Sequence, residues 1–103
     1  MRFNILVIDP ADNVGVALTD LKAGDQALLR SHDRLVPIGI REAIPFGHKV
    51  AVRDLAAGEN VVKYGQVMGR TTAPIAVGQH VHVHNIEGLR GRGDISTGKR
   101  EER

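Results

Sequence analysis

Short aliphatic runs separated by turn-forming residues dominate the hydrophobic pattern of this chain. Such runs extend from Phe3 to Ile8, from Val14 to Leu18 and from Leu35 to Ile40. Runs of this kind, rich in β-branched residues and bounded by Gly, Pro, Asn or Asp, are typical of β-strands. Pro37 interrupts the third run. Because proline cannot donate to a strand ladder, it predicts that this strand lies at a sheet edge or contains a bulge.

Helical periodicity is weak along the whole chain. No segment repeats apolar residues at i, i+3 and i+4 over about 11 residues. Two short stretches, Thr19–Leu21 and Asp54–Ala57, are predicted to form one-turn helices at most. The pattern therefore predicts an all-β fold with minor short helices, compact and barrel-like.

A seven-residue pattern occurs four times. It consists of an aliphatic residue, two spacers, Gly, two polar or charged positions, and an aliphatic residue or Ala. The four copies are Leu21–Ala27, Ile44–Val50, Leu55–Val61 and Ile75–Val81. The glycines are separated by 23, 11 and 20 residues, so the pattern is not that of a solenoid. It predicts a recurring corner, in which Gly permits a positive φ before the chain enters a strand.

Length and composition favour one small domain with an aliphatic core. The chain has 103 residues, 42% of them hydrophobic, and its aromatic residues are Phe3, Phe46 and Tyr64. We expect the folded domain to span residues 1–88 and residues 89–103 to form a Gly/Arg-rich flexible tail. Such a small core buries limited area, so assembly with a partner or as a homo-oligomer is a further expectation.

Charge and cysteine content exclude several classes of function. Residues 1–89 carry nine Lys/Arg and nine Asp/Glu, so a basic nucleic-acid-binding surface is not expected. The absence of Cys excludes disulfides and thiolate chemistry. No run of about 18 apolar residues and no signal-peptide pattern is found, which predicts a cytoplasmic protein without membrane contact.

The most concentrated chemistry lies in three histidines at alternate positions, His80, His82 and His84. In a strand these side chains would share one face, with Val81 and Val83 on the other. Such a row could bind a metal or transfer protons. It could equally be the exposed polar face of a strand.

His48 is the chain's other histidine in a corner, directly after Gly47. If the second and fourth corners are related by pseudo-symmetry, His48 lies close to the histidine row. The alternative is an isolated turn histidine.

Polar residues in the first turn form a second candidate site. Asp9, Asp12 and Asn13 could bind a hard cation or a sugar hydroxyl. The same residue types also form ordinary turns.

Cationic residues provide candidate carboxylate ligands. Lys63 and Tyr64 form one pair, although Tyr64 could instead pack at the rim of the core. Arg90 and Arg92 could anchor a substrate carboxylate or contact an acidic partner, or belong to a solvated tail.

Several motifs in order resemble the N-terminal domain of altronate and galactarate dehydratases, a SAF domain with a β-clip fold. The resemblance covers about residues 3–88. The matching motifs are Asp12–Leu18, Ile44–Ala51, Val62–Gly65, Met68–Gly69 and Gly78–Asn85. In some members, including sulfolactate sulfo-lyase, a domain of this kind is a separate small subunit.

The resemblance implies a hydro-lyase that removes water from a 2,3-dihydroxy sugar acid to give a 2-keto-3-deoxy acid, with divalent iron or manganese. This reaction needs a base for the proton α to the carboxylate and assistance for the leaving hydroxide. We assign the candidate residues accordingly: His48, His82 and Lys63 to catalysis; Asn13, Lys49, Tyr64, Arg90 and Arg92 to substrate binding; His80, His82, His84 and Asp9 to metal binding.

Two departures from the family pattern change the expected role. Many members carry His where this chain has Asp9, so the ligand set would be altered. Full-length dehydratases also contain a much larger C-terminal catalytic domain. We therefore expect a small subunit that is inactive without a separate large dehydratase-like chain. The alternative is a free-standing module that binds a carbohydrate or acidic ligand, or assists assembly, without catalysis.

Overall fold

The computed structural model describes residues 3–88, which fold into two antiparallel-rich β-sheets. The strands are β1 (Ile5–Val7), β2 (Val14–Ala17), β3 (Gln26–Ser31), β4 (Arg34–Gly39), β5 (Lys49–Ala51), β6 (Asn60–Lys63), β7 (Gln66–Thr71), β8 (His80–Val81) and β9 (Ile86–Gly88). The predicted all-β class is confirmed. The predicted one-turn helices are wrong, because the described residues contain no helix.

The larger sheet is open rather than barrel-shaped. Its strand order is β4-β3-β1-β2-β5-β8, and the smaller sheet has the order β6-β7-β9. Because β4 and β8 pair with one neighbour each, the larger sheet does not close on itself, so the compact all-β fold is not a closed barrel. Pro37 lies in β4, at the edge of this sheet, as predicted from its missing N–H.

The core is aliphatic, as the composition predicts. One cluster, including Ile5, Ile44 and Val50, packs on the larger sheet. A second cluster, including Val14, Val61 and Val81, joins residues from both sheets. Tyr64 is 52% exposed, so it does not pack in the core.

The four predicted corners share one conformation. Their glycines all have a positive φ: 93° at Gly24, 84° at Gly47, 80° at Gly58 and 89° at Gly78. A strand begins two residues after each of them, at the start of β3, β5, β6 and β8. In each corner the residue after Gly donates its N–H to the carbonyl three residues back. This is a type II turn, which requires a positive φ at its third position.

The corners associate in two equivalent pairs. Leu21 bridges Ile44, and Leu55 bridges Ile75. These four residues are the aliphatic first positions of the corners, and all are buried. The two stretches predicted as one-turn helices instead contribute Leu21 and Leu55 to these bridges, because burying an aliphatic anchor stabilises each site more than one helical turn would.

Asn13 connects the two sheets. Its side chain is 1% exposed, accepts the N–H of Val62 at 2.8 Å and donates to the carbonyl of Asn60 at 2.8 Å. Its own N–H also donates to the Val62 carbonyl. Both amide atoms are thus engaged by β6, and the structure gives this predicted substrate ligand a role in the fold.

We expect Asn13→Ala to lower the free energy of unfolding by about 2–3 kcal/mol, because it leaves backbone groups of Asn60 and Val62 without side-chain partners. For a domain of this size, the melting temperature should fall by roughly 10–20 °C. Thermal unfolding followed by circular dichroism measures this. Asn60→Ala, at an exposed position of the same residue type, is the matched control. Equal effects of the two substitutions would contradict the assignment.

Candidate functional site

The histidine row does not lie on one strand. Strand β8 ends at Val81, and the chain turns from His82 to Asn85 before β9 begins. Val81 is fully buried, whereas Val83 is 79% exposed. The predicted alternation of faces therefore holds for the first valine and is wrong for the second.

Asn85 ends the strand by closing this turn. Its side chain accepts the N–H of His82 at 2.9 Å and donates to the carbonyl of His80 at 2.8 Å. Its backbone N–H donates to the His82 carbonyl at 3.0 Å. Asn offers an amide that competes with strand hydrogen bonding. This residue type at the end of the histidine row was the available signal that the strand stops early.

Four rings nevertheless meet at this turn, and we call His48, His80, His82 and His84 the imidazole cluster. His48 Nδ1 lies 2.9 Å from His80 Nε2. The His48 and His82 rings stack with centroids 4.3 Å apart. The His80 ring lies 5.3 Å from His82 and 5.2 Å from His84. Of the two alternatives left open for His48, the structure shows the one in which it lies close to the row rather than as an isolated turn histidine.

Strand pairing brings His48 to the row from 32 residues away. It immediately precedes β5, which pairs antiparallel with β8 so that Val50 faces His80 and Lys49 faces Val81. Glu42 holds the backbone of His80, because its Oε2 accepts the His80 N–H at 2.9 Å. Glu42 was not predicted, since its contact depends on a fold-back that no local pattern marks.

Three members of the cluster have the spacing of a metal-binding set. His48, His80 and His82 each offer a nitrogen, and these nitrogens lie within 4.8 Å of one another. Two nitrogens bound to one metal at about 2.1 Å and at right angles lie roughly 3 Å apart, which matches the 2.9 Å between His48 and His80. The donor set thus fits a divalent transition metal. Among residues 3–88, neither His84 nor Asp9 belongs to this set.

Electrostatics favours the neutral imidazoles that metal binding requires. Burial, with the neighbouring His48, His84 and His82, lowers the pKa of His80, and this outweighs the opposing charge of Glu42. Desolvation, with His48, Lys49 and His84 nearby, lowers the pKa of His82.

Two lysines are linked to the cluster by charge interactions, Lys49 directly and Lys63 through Lys49. Burial, followed by the charge of Lys63, lowers the pKa of Lys49. Lys49 in turn contributes to lowering the pKa of His82, so Lys49 is within electrostatic range of both Lys63 and His82. Lys63 Nζ lies 4.9 Å from the centroid of the exposed Tyr64 ring. The structure thus links Lys49 to the cluster and Lys63 to both Lys49 and Tyr64, and such cationic groups suit an anion.

Asp9 and Asp12 pack against the turn between β6 and β7 rather than joining the metal-binding set. Asp12 Oδ1 accepts the N–H of Gly65 at 2.8 Å, and its Oδ2 accepts the N–H of Asp9 at 3.1 Å. Asp9 accepts the N–H of Ala11 and lies close against Gly65. These aspartates therefore hold the turn that carries Tyr64. The predicted substrate ligands Arg90 and Arg92 lie outside the described residues.

The chain is similar in sequence to a family of known proteins. A family model described as the altronate/galactarate dehydratase SAF domain matches residues 3–89. The alpha subunit of (2R)-sulfolactate sulfo-lyase from Chromohalobacter salexigens is 40% identical over 90 residues, covering 84% of this chain and 96% of that subunit. The part of the chain that the structure describes has no helix capable of crossing a membrane.

Two larger enzymes are similar over part of their length. Altronate dehydratase from Escherichia coli is 42% identical over 78 residues, which are 76% of this chain but 15% of that enzyme. Galactarate dehydratase (L-threo-forming) from Escherichia coli is 40% identical over 81 residues, which are 77% of this chain and 14% of that enzyme. The relatives are thus lyases or dehydratases, and the family predicted from the motifs is confirmed. The chain belongs to the altronate/galactarate dehydratase SAF domain family.

Proposed function

We propose that this chain is the small subunit of a lyase that removes water from a sugar acid, an aldonate or aldarate of the altronate or galactarate type, and that it works with a separate large catalytic chain. The observation that carries the proposal is the imidazole cluster with Lys49 within electrostatic range of it. The proposed assembly is supported by the relative that is itself an alpha subunit, nearly all of which this chain spans. It is also supported by the dehydratases, of which the chain spans about 15%.

A divalent iron or manganese ion would be held by His48, His80 and His82. When bound, it supplies Lewis-acid assistance to the departing hydroxyl group. The lowered pKa values of His80 and His82 favour the neutral form of these two imidazoles. Protonated imidazoles would bind no metal.

The two lysines take complementary roles in the proposal. Lys63, beside the exposed Tyr64 ring, binds the substrate carboxylate. Lys49 is half-buried, and burial lowers its pKa, which is the direction of change that a proton-accepting amine requires. This exchanges the roles expected from the sequence, where Lys63 was assigned to catalysis and Lys49 to binding. Burial is the reason, because it disfavours the charged form.

Co-purification and reconstitution test this function. The tagged chain is isolated from its native host, and any large chain that accompanies it is assayed with it for 2-keto-acid release from altronate, galactarate and (2R)-sulfolactate, with Fe²⁺ or Mn²⁺. We expect turnover of a sugar acid by the pair and none by either chain alone. Lys49→Ala should reduce turnover by about 100-fold, the lower range for a general base, while Lys22→Ala, at an exposed corner position, should not.

Two outcomes would overturn the proposal. Turnover of (2R)-sulfolactate alone would replace the substrate class. If no large chain co-purifies and the isolated chain binds a sugar acid without turnover, a binding module without catalysis is the better description.

A further inference from the structure

The four glycine corners differ in one hydrogen bond. In three of them, the side chain directly after Gly accepts the backbone N–H of the first turn residue. The N–H of Lys22 donates to Asp25 at 2.9 Å, that of Ala56 to Glu59 at 2.9 Å, and that of Ala76 to Gln79 at 2.7 Å. This side chain closes the turn a second time, in addition to the backbone bond between the same two residues.

The second corner cannot form this bond. Its first turn residue is Pro45, which has no N–H, and the residue after Gly47 is His48. The backbone of this turn is otherwise the same as in the other corners, because the His48 N–H donates to the Pro45 carbonyl at 3.0 Å. In this corner the side chain after Gly, that of His48, therefore has no backbone N–H from which to accept a hydrogen bond. Its Nδ1 instead lies 2.9 Å from His80 Nε2.

His48 Nδ1, the atom that contacts His80, is also the atom that a backbone N–H at position 45 would bind. Nδ1 of His48 occupies the same place along its side chain as the carboxylate oxygen with which Asp25 closes the first corner. A backbone N–H at position 45 would thus find an acceptor in His48 Nδ1, since a neutral ring nitrogen accepts a hydrogen bond. That bond would draw Nδ1 toward the turn and away from His80.

We infer that Pro45 is a positioning residue for His48: by removing the turn's N–H donor, it leaves Nδ1 to meet His80. Its effect on metal binding rests on the proposed function, whereas its effect on the His48 ring does not. The second corner thereby leaves its side chain available as a metal ligand, whereas in the other three corners the side chain accepts a hydrogen bond within the turn.

The first test follows the ring itself in the metal-free chain. Long-range ¹⁵N–¹H NMR of the full chain reports the hydrogen bonding and tautomer of each imidazole. In Pro45→Ala we expect the His48 Nδ1 resonance to shift to that of an acceptor of a backbone N–H, with a matching shift at His80 Nε2. Pro74→Ala, which replaces an exposed proline outside the turns, should leave both resonances unchanged. Unchanged His48 and His80 resonances in Pro45→Ala would overturn the inference.

The second test isolates the turn from the ring contact. His48→Asp supplies the carboxylate acceptor found in the first corner. This carboxylate can close the turn only when the residue at position 45 has an N–H to donate. We therefore expect His48→Asp to give a higher melting temperature in the Pro45→Ala background than beside Pro45, after the effect of Pro45→Ala itself is subtracted. Equal effects in both backgrounds would contradict the inference.

Metal binding gives the functional readout. In calorimetric titration with Mn²⁺, Pro45→Ala should bind several-fold more weakly than the wild-type chain, with Pro74→Ala unchanged. Absence of Mn²⁺ binding by the wild-type chain would count against the proposed metal site, and the NMR and stability comparisons would still decide the role of Pro45.

Discussion

Replacing His80 with alanine should weaken binding of Fe²⁺ or Mn²⁺ by at least about 100-fold, which is the upper end of the loss caused by removing a partner that only supports a metal ligand. His80 is central to the imidazole cluster: it contacts His48 at 2.9 Å and stacks with His82. Its removal leaves two of the three imidazoles of the metal-binding set, and the stacked pair of His48 and His82 loses the ring that both face. Anaerobic calorimetric titration of the purified chain measures the affinity.

His32→Ala is the matched control for this loss. His32 is exposed in the turn between β3 and β4 and belongs to no group of three potential metal ligands among the described residues. It should leave the affinity unchanged. His84→Ala should have a smaller effect than His80→Ala, because His84 lies outside the three-nitrogen set. A loss of equal size in His32→Ala and His80→Ala would show that the binding is unspecific and would remove the basis of the metal site.

Gly78→Ala should lower the free energy of unfolding by at least about 4 kcal/mol, which is exceptional for a single substitution. A Cβ at position 78 would overlap the carbonyl oxygen of Gly39. The backbone cannot withdraw, because the Gly78 N–H donates to Ala51 and its carbonyl accepts from Arg41. The fourth corner would have to move, and His80 would move with it. Urea unfolding followed by circular dichroism measures the change.

Gly24→Ala separates this overlap from backbone strain. Gly24 has a φ of 93°, close to the 89° of Gly78, but a Cβ there would meet nothing within 4 Å. Its cost should be limited to about 1–2 kcal/mol, the usual penalty for a side chain in the left-handed region. Loss of cooperative unfolding in Gly78→Ala alone would also fit the expectation. If both variants lose the same stability, the contact with Gly39 is not the cause.

Local signals in the sequence were sufficient for the scaffold. The aliphatic runs and the Gly corners depend on neighbouring residues only, since a positive φ at Gly and a strand after it are short-range properties. Pro37 marked an edge strand for the same reason. The error over His82 and His84 had a local cause as well: alternation was extended through Asn85, whose amide ends the strand.

The grouping of the site residues had no such local signal. Asn13 and Asp9 have the polar character of ligands, but the structure uses the Asn13 amide to join the sheets and packs Asp9 against Gly65. Lys49 became the better candidate for proton transfer only through its burial beside Lys63.

By itself, the sequence determined an all-β domain with an aliphatic core, four glycine corners and the motifs of its family. The tertiary structure decided which histidines meet. His48 and His80 are 32 residues apart and are joined because β5 and β8 pair in one register. Their approach also depends on the second corner, where Pro45 has no N–H to donate to His48 Nδ1, as argued from the other three corners. The physical reason is that strand pairing, burial and shared hydrogen bonds link distant residues, whereas turn and strand propensities act between neighbours.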